Sequence, residues 1–313
     1  MIETNGVRLH TVEAGEPGAP VVVLAHGFPE LGYSWRRQIP ALAAAGYHVL
    51  APDQRGYGRS SRPADVADYN VADLSADLVG LLDDVAAERA VLVGHDWGAP
   101  TVCATAQLHP DRVAAVVNLS VPPVPRAQVP PTQAFRKIFG EAFFYMLYFQ
   151  EPGVADAELD ADPATTMRRM MCGLRAGGQA GQQMARPGPQ GFIERLPEPD
   201  GLPDWISQPE LDHYIAEFTR TGFTGGLNWY RNLDRNWEIM ADPVAATIGV
   251  PTLFIGGTDD PVLAFTRRDR VAEVVSGPYR EVMIDGAGHW LQQERADEVN
   301  AALVDFLSGL RLS

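Results

Sequence analysis

The sequence predicts an α/β fold: a mostly parallel sheet covered by helices, with a helical domain inserted into it. Short runs of apolar and β-branched residues alternate with helix-compatible segments, and fully apolar strands of this kind are buried on both faces in parallel sheets. The strand pattern stops after Ser120 and resumes at Val250. The predicted strands are Val21–Ala25, His48–Ala51, Ala90–Val93, Ala114–Leu119, Pro251–Ile255 and Glu281–Ile284.

Composition limits the classes of partner. The chain has 313 residues with a net charge of −15, and an acidic protein lacks the basic patches that nucleic acid or anionic membrane requires. Its two cysteines, Cys103 and Cys172, are too few for a disulfide scaffold, and we expect Cys103 to be a packing residue. The start, residues 1–6, does not resemble a signal peptide, and no apolar run approaches the ~18 residues of a membrane span. We therefore expect a cytoplasmic protein that binds neither nucleic acid nor membrane.

The break in the strand pattern predicts the domain organisation. Before it, apolar residues at a spacing of three to four from Val71 to Val85 predict an amphipathic helix capped near Asn70. After Ser120 follow a Pro-rich connection and helical, aromatic segments, with a Pro/Gly-rich loop at roughly 186–209. We predict a core formed by 1–125 and 244–313 and a helical cap formed by 126–243. A helical insert whose chain emerges from the carboxyl edge of the sheet would cover the ligand crevice found at that edge in open α/β folds.

The segment Gly94-His95-Asp96-Trp97-Gly98 has the spacing of a nucleophile elbow, with aspartate at the position usually held by serine. It follows an apolar strand and precedes a helix, which is the context that the motif needs. A carboxylate is already ionised at neutral pH, so it can attack carbon without first losing a proton. Asp96 at this position favours displacement at an alkyl carbon over acyl transfer.

Two further groups follow later strands, in the chain order of nucleophile, acid and histidine. His289 lies in a Gly-rich loop and could accept a proton from water while a carboxylate orients its other ring nitrogen. The acid is Asp259 or Asp260, and motif spacing favours Asp260. The alternative acid position after the preceding strand, Asn118-Leu119-Ser120, holds no carboxylate.

Upstream, His26-Gly27-Phe28-Pro29 follows the first core strand, where an oxyanion-binding loop belongs. We predict that the amides of Phe28 and Trp97 stabilise a developing oxyanion. His26 and His95 are interpreted as hydrogen-bonded structural residues. No metal-ligand spacing is present, and we expect neither a metal nor a cofactor.

Taken together, these motifs make the chain resemble an epoxide hydrolase of the α/β-hydrolase fold, and it is similar to the hydrolase domain of mammalian soluble epoxide hydrolase. The resemblance covers roughly residues 1–310. It rests on the segments His26-Gly27-Phe28-Pro29-Glu30, Gly94-His95-Asp96-Trp97-Gly98, Tyr148-Phe149-Gln150-Glu151-Pro152-Gly153 and Asn228-Trp229-Tyr230-Arg231-Asn232.

The resemblance implies that two cap tyrosines hold and protonate the oxygen of an epoxide. Matched motif by motif, they are Tyr145, rather than Tyr148, and Tyr230. It implies a small apolar epoxide and water as partners, an alkyl ester on Asp96 that is hydrolysed by water activated at His289, and a vicinal diol as product. A homodimer is left open.

Two alternatives remain at this point. Haloalkane dehalogenases also use an aspartate followed by tryptophan, but they resemble this chain less because they have asparagine where it has Phe28. A catalytically silent small-molecule-binding protein could share the same scaffold, since a fold does not determine a function.

Overall fold

A computed structural model describes residues 1–173, 187–242 and 246–312 of the chain. The strands are β1 (Ile2–Thr4), β2 (Val7–Leu9), β3 (Thr11–Ala14), β4 (Val21–Ala25), β5 (His48–Pro52), β6 (Ala90–His95), β7 (Val113–Leu119), β8 (Thr252–Gly257) and β9 (Tyr279–Ile284). β1 and β2 pair as an antiparallel hairpin. The other strands form one sheet in the order β3-β5-β4-β6-β7-β8-β9.

In that sheet every neighbouring pair is parallel except β3 with β5. The predicted parallel sheet is therefore confirmed, and each predicted apolar run lies in a strand except for Pro251, which precedes β8. The sequence analysis missed β1, β2 and β3. These are short strands with exposed positions, and a search for fully apolar runs does not detect them.

The α-helices of the described ranges are α1 (Gln38–Ala44), α2 (Val71–Asp84), α3 (Gly98–Leu108), α4 (Pro131–Phe139), α5 (Tyr145–Tyr148), α6 (Val154–Ala161), α7 (Pro163–Gly173), α8 (Phe192–Arg195), α9 (Gln208–Thr221), α10 (Thr224–Arg231), α11 (Leu233–Ile239), α12 (Leu291–Glu294) and α13 (Ala296–Ser308). Short 3₁₀ helices cover Gly32–Trp35, Val66–Tyr69, Pro261–Phe265 and Arg268–Glu273. The predicted cap of α2 is confirmed, because the Asn70 side chain accepts hydrogen bonds from the amides of Ala72 and Asp73.

Helices cover both faces of the sheet. Val23 of β4 packs with residues of α2 and α3, whereas its neighbour Val22 packs with residues of α1 and α13. This alternation follows from the two-residue period of a strand. Cys103 of α3 is buried in the first of these layers, as expected for a packing residue.

Between β7 and β8, the secondary structure that the model describes is helical, from α4 to α11. Here this helical segment is called the cap. The predicted domain boundary at 243/244 lies outside the described residues, as does residue 186, at which the predicted loop begins. The rest of that loop is interrupted by α8 and ends at α9. The division into core and cap stays a prediction.

The cap packs on the carboxyl edge of the sheet through one apolar cluster. That cluster joins Phe28 and Tyr57 of the sheet-edge loops to Phe149, Trp229 and Tyr230 of the cap. Within the described ranges, no helix has the length and apolar character that a membrane crossing demands.

Candidate active site

The loop between β6 and α3 forms the elbow that holds Asp96. Its backbone is in the left-handed region, with φ +49° at Asp96, a conformation that costs energy for a side-chain-bearing residue and recurs at functional sites. A Cβ on Gly94 would lie 2.2 Å from the carbonyl oxygen of Gly98, and one on Gly98 would lie 2.0 Å from that of Ala25. Both glycines are therefore required by the close approach of backbone to backbone.

The two carboxylate oxygens of Asp96 have different surroundings. The Phe28 amide donates a 2.8 Å hydrogen bond to Oδ1, while Oδ2 lies 3.6 Å from Nε2 of His289. Trp97 is the N-cap of α3, and within the described residues its amide makes no hydrogen bond to the Asp96 carboxylate. Of the two predicted oxyanion donors, only the amide of Phe28 is bound to Asp96 in this state.

His289, Asp260 and Ser120 form a buried group beside Asp96. Nδ1 of His289 lies 3.2 and 3.4 Å from the two carboxylate oxygens of Asp260 and 3.0 Å from the Ser120 hydroxyl. The Ser120 hydroxyl donates to Oδ2 of Asp260 at 2.5 Å. Asp259 is exposed. The structure thus brings Asp260, not Asp259, to the histidine, and it adds Ser120, which the sequence analysis passed over because it is not a carboxylate.

Charge within this group is set by the carboxylates on either side of the imidazole. Burial disfavours a charged His289, but Asp260 and Asp96 outweigh it and raise the pKa of His289 well above its ordinary value. Burial likewise opposes ionisation of Asp260, yet His289 and the hydrogen bonds from Ser120 and Val262 hold the pKa of Asp260 below its usual range. Both shifts favour an ion pair between a protonated His289 and the Asp260 carboxylate.

A second network of buried hydrogen bonds connects the same loops to one another. The Glu30 carboxylate accepts a hydrogen bond from the Gly27 amide and contacts Nδ1 of His95 at 2.6 Å, while Nε2 of His95 donates to the backbone carbonyl of His289 at 2.8 Å. Despite complete burial, contact with His95 lowers the pKa of Glu30 to about 2. Glu30 thereby links the oxyanion loop, the elbow and the histidine loop, a role that sequence reasoning missed.

His26 and His95 are hydrogen-bonded and buried, as their interpretation as structural residues requires. Burial lowers the pKa of His26, whose Nδ1 donates to the Gly27 carbonyl while its Nε2 accepts from the Gln54 amide. This arrangement suits a neutral ring.

Tyr145 and Tyr230 of the cap lie in the aromatic cluster near Asp96. The Tyr230 ring packs edge-on against Trp97 and Phe28, with centroids 5.0 and 5.5 Å apart, and lies 6.0 Å from the Tyr145 ring. Burial, and then the negative charge of Asp96, raises the pKa of both phenols. The pKa of Tyr148 is raised by burial and by Glu158 instead, so Tyr148 faces another carboxylate.

Comparison with known proteins identifies the family. A model of the alpha/beta hydrolase fold matches residues 20–166. The chain is 74% identical to Epoxide hydrolase A of Mycobacterium tuberculosis, over 100% of this chain and 98% of that protein. The chain belongs to the epoxide hydrolases of the α/β-hydrolase fold. Members of this family are hydrolases that act on ether bonds.

Two further comparisons cover the same epoxide hydrolase segment. The crystal structure of Epoxide Hydrolase A from Mycobacterium thermoresistibile is similar with a TM-score of 0.98 and 66% identity, over 100% of this chain and 98% of that one. Bifunctional epoxide hydrolase 2 of Mus musculus is 39% identical over 96% of this chain but only 54% of its own length. Family membership argues against both the dehalogenase and the silent binding protein.

The two cap motifs of this epoxide hydrolase are bound to each other. The Gln150 amide donates to the Tyr230 carbonyl at 2.9 Å, and Nε of Arg231 donates to the Phe149 carbonyl at 3.2 Å. The second motif is also attached to the sheet-edge loops, because the Trp229 indole donates to the Arg55 carbonyl and the Asn232 amide to that of Val66. These bonds fix the backbone from which Tyr230 projects.

Metal ligands do not converge here. In the part of the chain that the structure describes, no three His, Cys, Asp or Glu side chains are grouped so as to hold a metal ion. The groups beside the Asp96 carboxylate are instead the Phe28 amide and the His289 imidazole.

Proposed function

We propose that this chain converts a small apolar epoxide into a vicinal diol in two steps, through an ester of Asp96. The observation that carries the proposal is the unequal environment of the two Asp96 oxygens: Oδ1 is bound by the Phe28 amide, and Oδ2 lacks that donor. Aromatic residues surround the same space, which favours an apolar substrate.

In the first step Oδ2 of Asp96 attacks an epoxide carbon, and the carbon–oxygen bond of the ring breaks. The departing alkoxide takes a proton from Tyr145 or Tyr230. An alkoxide is a poor leaving group in water, and a phenol with a normal pKa of about 10 remains a proton donor at neutral pH. The product of this step is an alkyl ester in which Oδ1 is the carbonyl oxygen.

Esterification removes the charge of Asp96, one of the two carboxylates that raise the pKa of His289. The pKa of His289 therefore falls, and the imidazolium can return a proton to the phenolate. The neutral Nε2 then becomes a base next to the ester, while Asp260 keeps Nδ1 oriented. This change of charge switches His289 from acid to base between the two steps.

In the second step, water deprotonated by His289 attacks the carboxyl carbon of Asp96. Negative charge develops on Oδ1, which already accepts from the Phe28 amide at 2.8 Å. We assign the Trp97 amide as the second donor, formed as the tetrahedral intermediate develops. Collapse of this intermediate breaks the bond between the carboxyl carbon and the substrate oxygen. The proton left on the attacking oxygen passes to the departing alkoxide, so that a diol leaves and Asp96 returns to the carboxylate, while His289 keeps the proton that it took from water.

The experiment is a single turnover with enzyme in excess in ¹⁸O-labelled water. The ester route predicts an unlabelled diol from that first turnover and one ¹⁸O in the Asp96 peptide, read by mass spectrometry. A first-turnover diol that carries the label would mean direct attack by water and would overturn the ester. The cytoplasmic location and the homodimer stay predictions from the sequence.

A further inference from the structure

Ser120 lies at the end of β7, between the strand that leads to Asp96 and the strand that leads to Asp260. It is fully buried and has φ +68°, in the left-handed region that side-chain-bearing residues seldom adopt. Its amide donates to the Ile255 carbonyl of β8 at 3.0 Å, which holds the strained residue against its neighbouring strand. Retained strain of this kind points to a function for the side chain that it directs.

The Ser120 hydroxyl is closer to Nδ1 of His289, at 3.0 Å, than either oxygen of Asp260, at 3.2 and 3.4 Å. A hydroxyl has one hydrogen, and the Ser120 hydroxyl donates it to Oδ2 of Asp260. Towards His289 it can therefore only accept. The Nδ1 proton of His289 is shared between a carboxylate and a hydroxyl.

The second oxygen of Asp260 is also held, because Oδ1 accepts from the Val262 amide at 2.9 Å. The carboxylate thus has one donor on each oxygen, and these two bonds set its rotation. Removing the Ser120 hydroxyl would release one oxygen of Asp260 and one acceptor of His289 at the same time.

We propose that Ser120 is a positioning residue for the hydrolysis of the ester: its hydroxyl accepts from Nδ1 of His289, donates to Asp260, and so aims Nε2 at the water. This inference rests on the proposed ester route. It concerns the second step only, since Asp96, Tyr145 and Tyr230 perform the first.

The test compares Ser120→Ala and Ser120→Gly with wild type, following ester formation and ester decay separately by quenched-flow and intact mass over a range of pH. Both variants lack the hydroxyl, but glycine fits φ +68° without strain and carries the test if alanine does not fold. Thr105→Ala is the matched control, because it removes another buried hydroxyl, one that donates to the Thr101 carbonyl within α3.

We expect both Ser120 variants to form the ester at close to the wild-type rate and to hydrolyse it about tenfold or more slowly, the cost of a lost hydrogen bond to a charged group. The rising limb of the hydrolysis rate should also move along the pH axis, because the substitution removes an acceptor from His289 and a donor from Asp260, and both groups influence the pKa of the imidazole. Among the described residues, the titratable groups that face His289 are Asp96, Asp260 and His95, and the substitution removes none of them.

If the substitutions slow ester formation and ester hydrolysis equally, or if the rising limb of the hydrolysis rate stays at the same pH, Ser120 has a purely structural role and the inference is overturned. Ester decay at the wild-type rate in both variants would overturn it as well. Failure of the proposed function has a different signature: wild-type enzyme would then form no ester at all.

Discussion

Gly27→Ala tests whether the loop that holds Gly27 and Phe28 must lie directly against Asp96, as the proposed ester route requires. A Cβ on Gly27 would lie 2.4 Å from both Cβ and Oδ1 of Asp96, about 1 Å inside ordinary contact. If the loop retreats by that amount, the 2.8 Å bond from the Phe28 amide to Asp96 lengthens to about 3.8 Å, beyond hydrogen-bond reach. Loss of one oxyanion donor costs about 10²–10³-fold in kcat.

The assay is diol formation at saturating epoxide, with unfolding in urea measured on the same preparations. Forcing the extra carbon into this space should also destabilise the fold by about 1–3 kcal/mol. Gly201→Ala is the matched control, because no atom lies within 4 Å of a Cβ added there. If the two alanine variants have the same kcat, the reasoning about the loop is wrong.

Three other outcomes follow from the site. His289→Gln should form the ester but not hydrolyse it, so intact mass should rise by one substrate and stay there; continued turnover would contradict this. Tyr145→Phe and Tyr230→Phe should each slow ester formation, and the double variant by about 10²-fold or more, whereas Tyr148→Phe should not. Since the pKa of Glu30 is lowered from 4.5 to about 2, its ionised form stabilises the fold above pH 4.5, and that stabilisation is lost as pH falls towards 2. The difference in unfolding free energy between wild type and Glu30→Gln should therefore shrink as the pH falls from 4.5 towards 2. A difference that stays constant over this range would argue against a stabilising role for the ionised Glu30.

The core of the fold was predictable because apolar strands and the elbow are local patterns. Gly94 and Gly98 mark the elbow by spacing alone, and the structure shows the backbone contacts that require them. The half-exposed strand β3 was missed because one of its edges is free, so its sequence need not be apolar.

The site was predictable only in part, since its remaining members are defined by contacts between distant segments. Asp259 and Asp260 are adjacent in sequence, and only the packing of the loop decides which one faces His289. Glu30 and Ser120 act through partners 65 and 140 residues away. Helical periodicity does not place Tyr145; family resemblance proposed it, and the structure places its ring 6.0 Å from that of Tyr230.

The reciprocal bonds between the two cap motifs set a rule for recombination among relatives. The Gln150 side chain donates to the carbonyl of Tyr230, and the Arg231 side chain donates to the carbonyl of Phe149, four residues after Tyr145. In a chimera with a crossover between the motifs, the side chain that donates each bond would come from one parent and the backbone carbonyl that accepts it from the other. Swaps that transfer residues 145–231 as one block would keep both of these bonds within a single parent, so the backbones of the two motifs stay matched to each other.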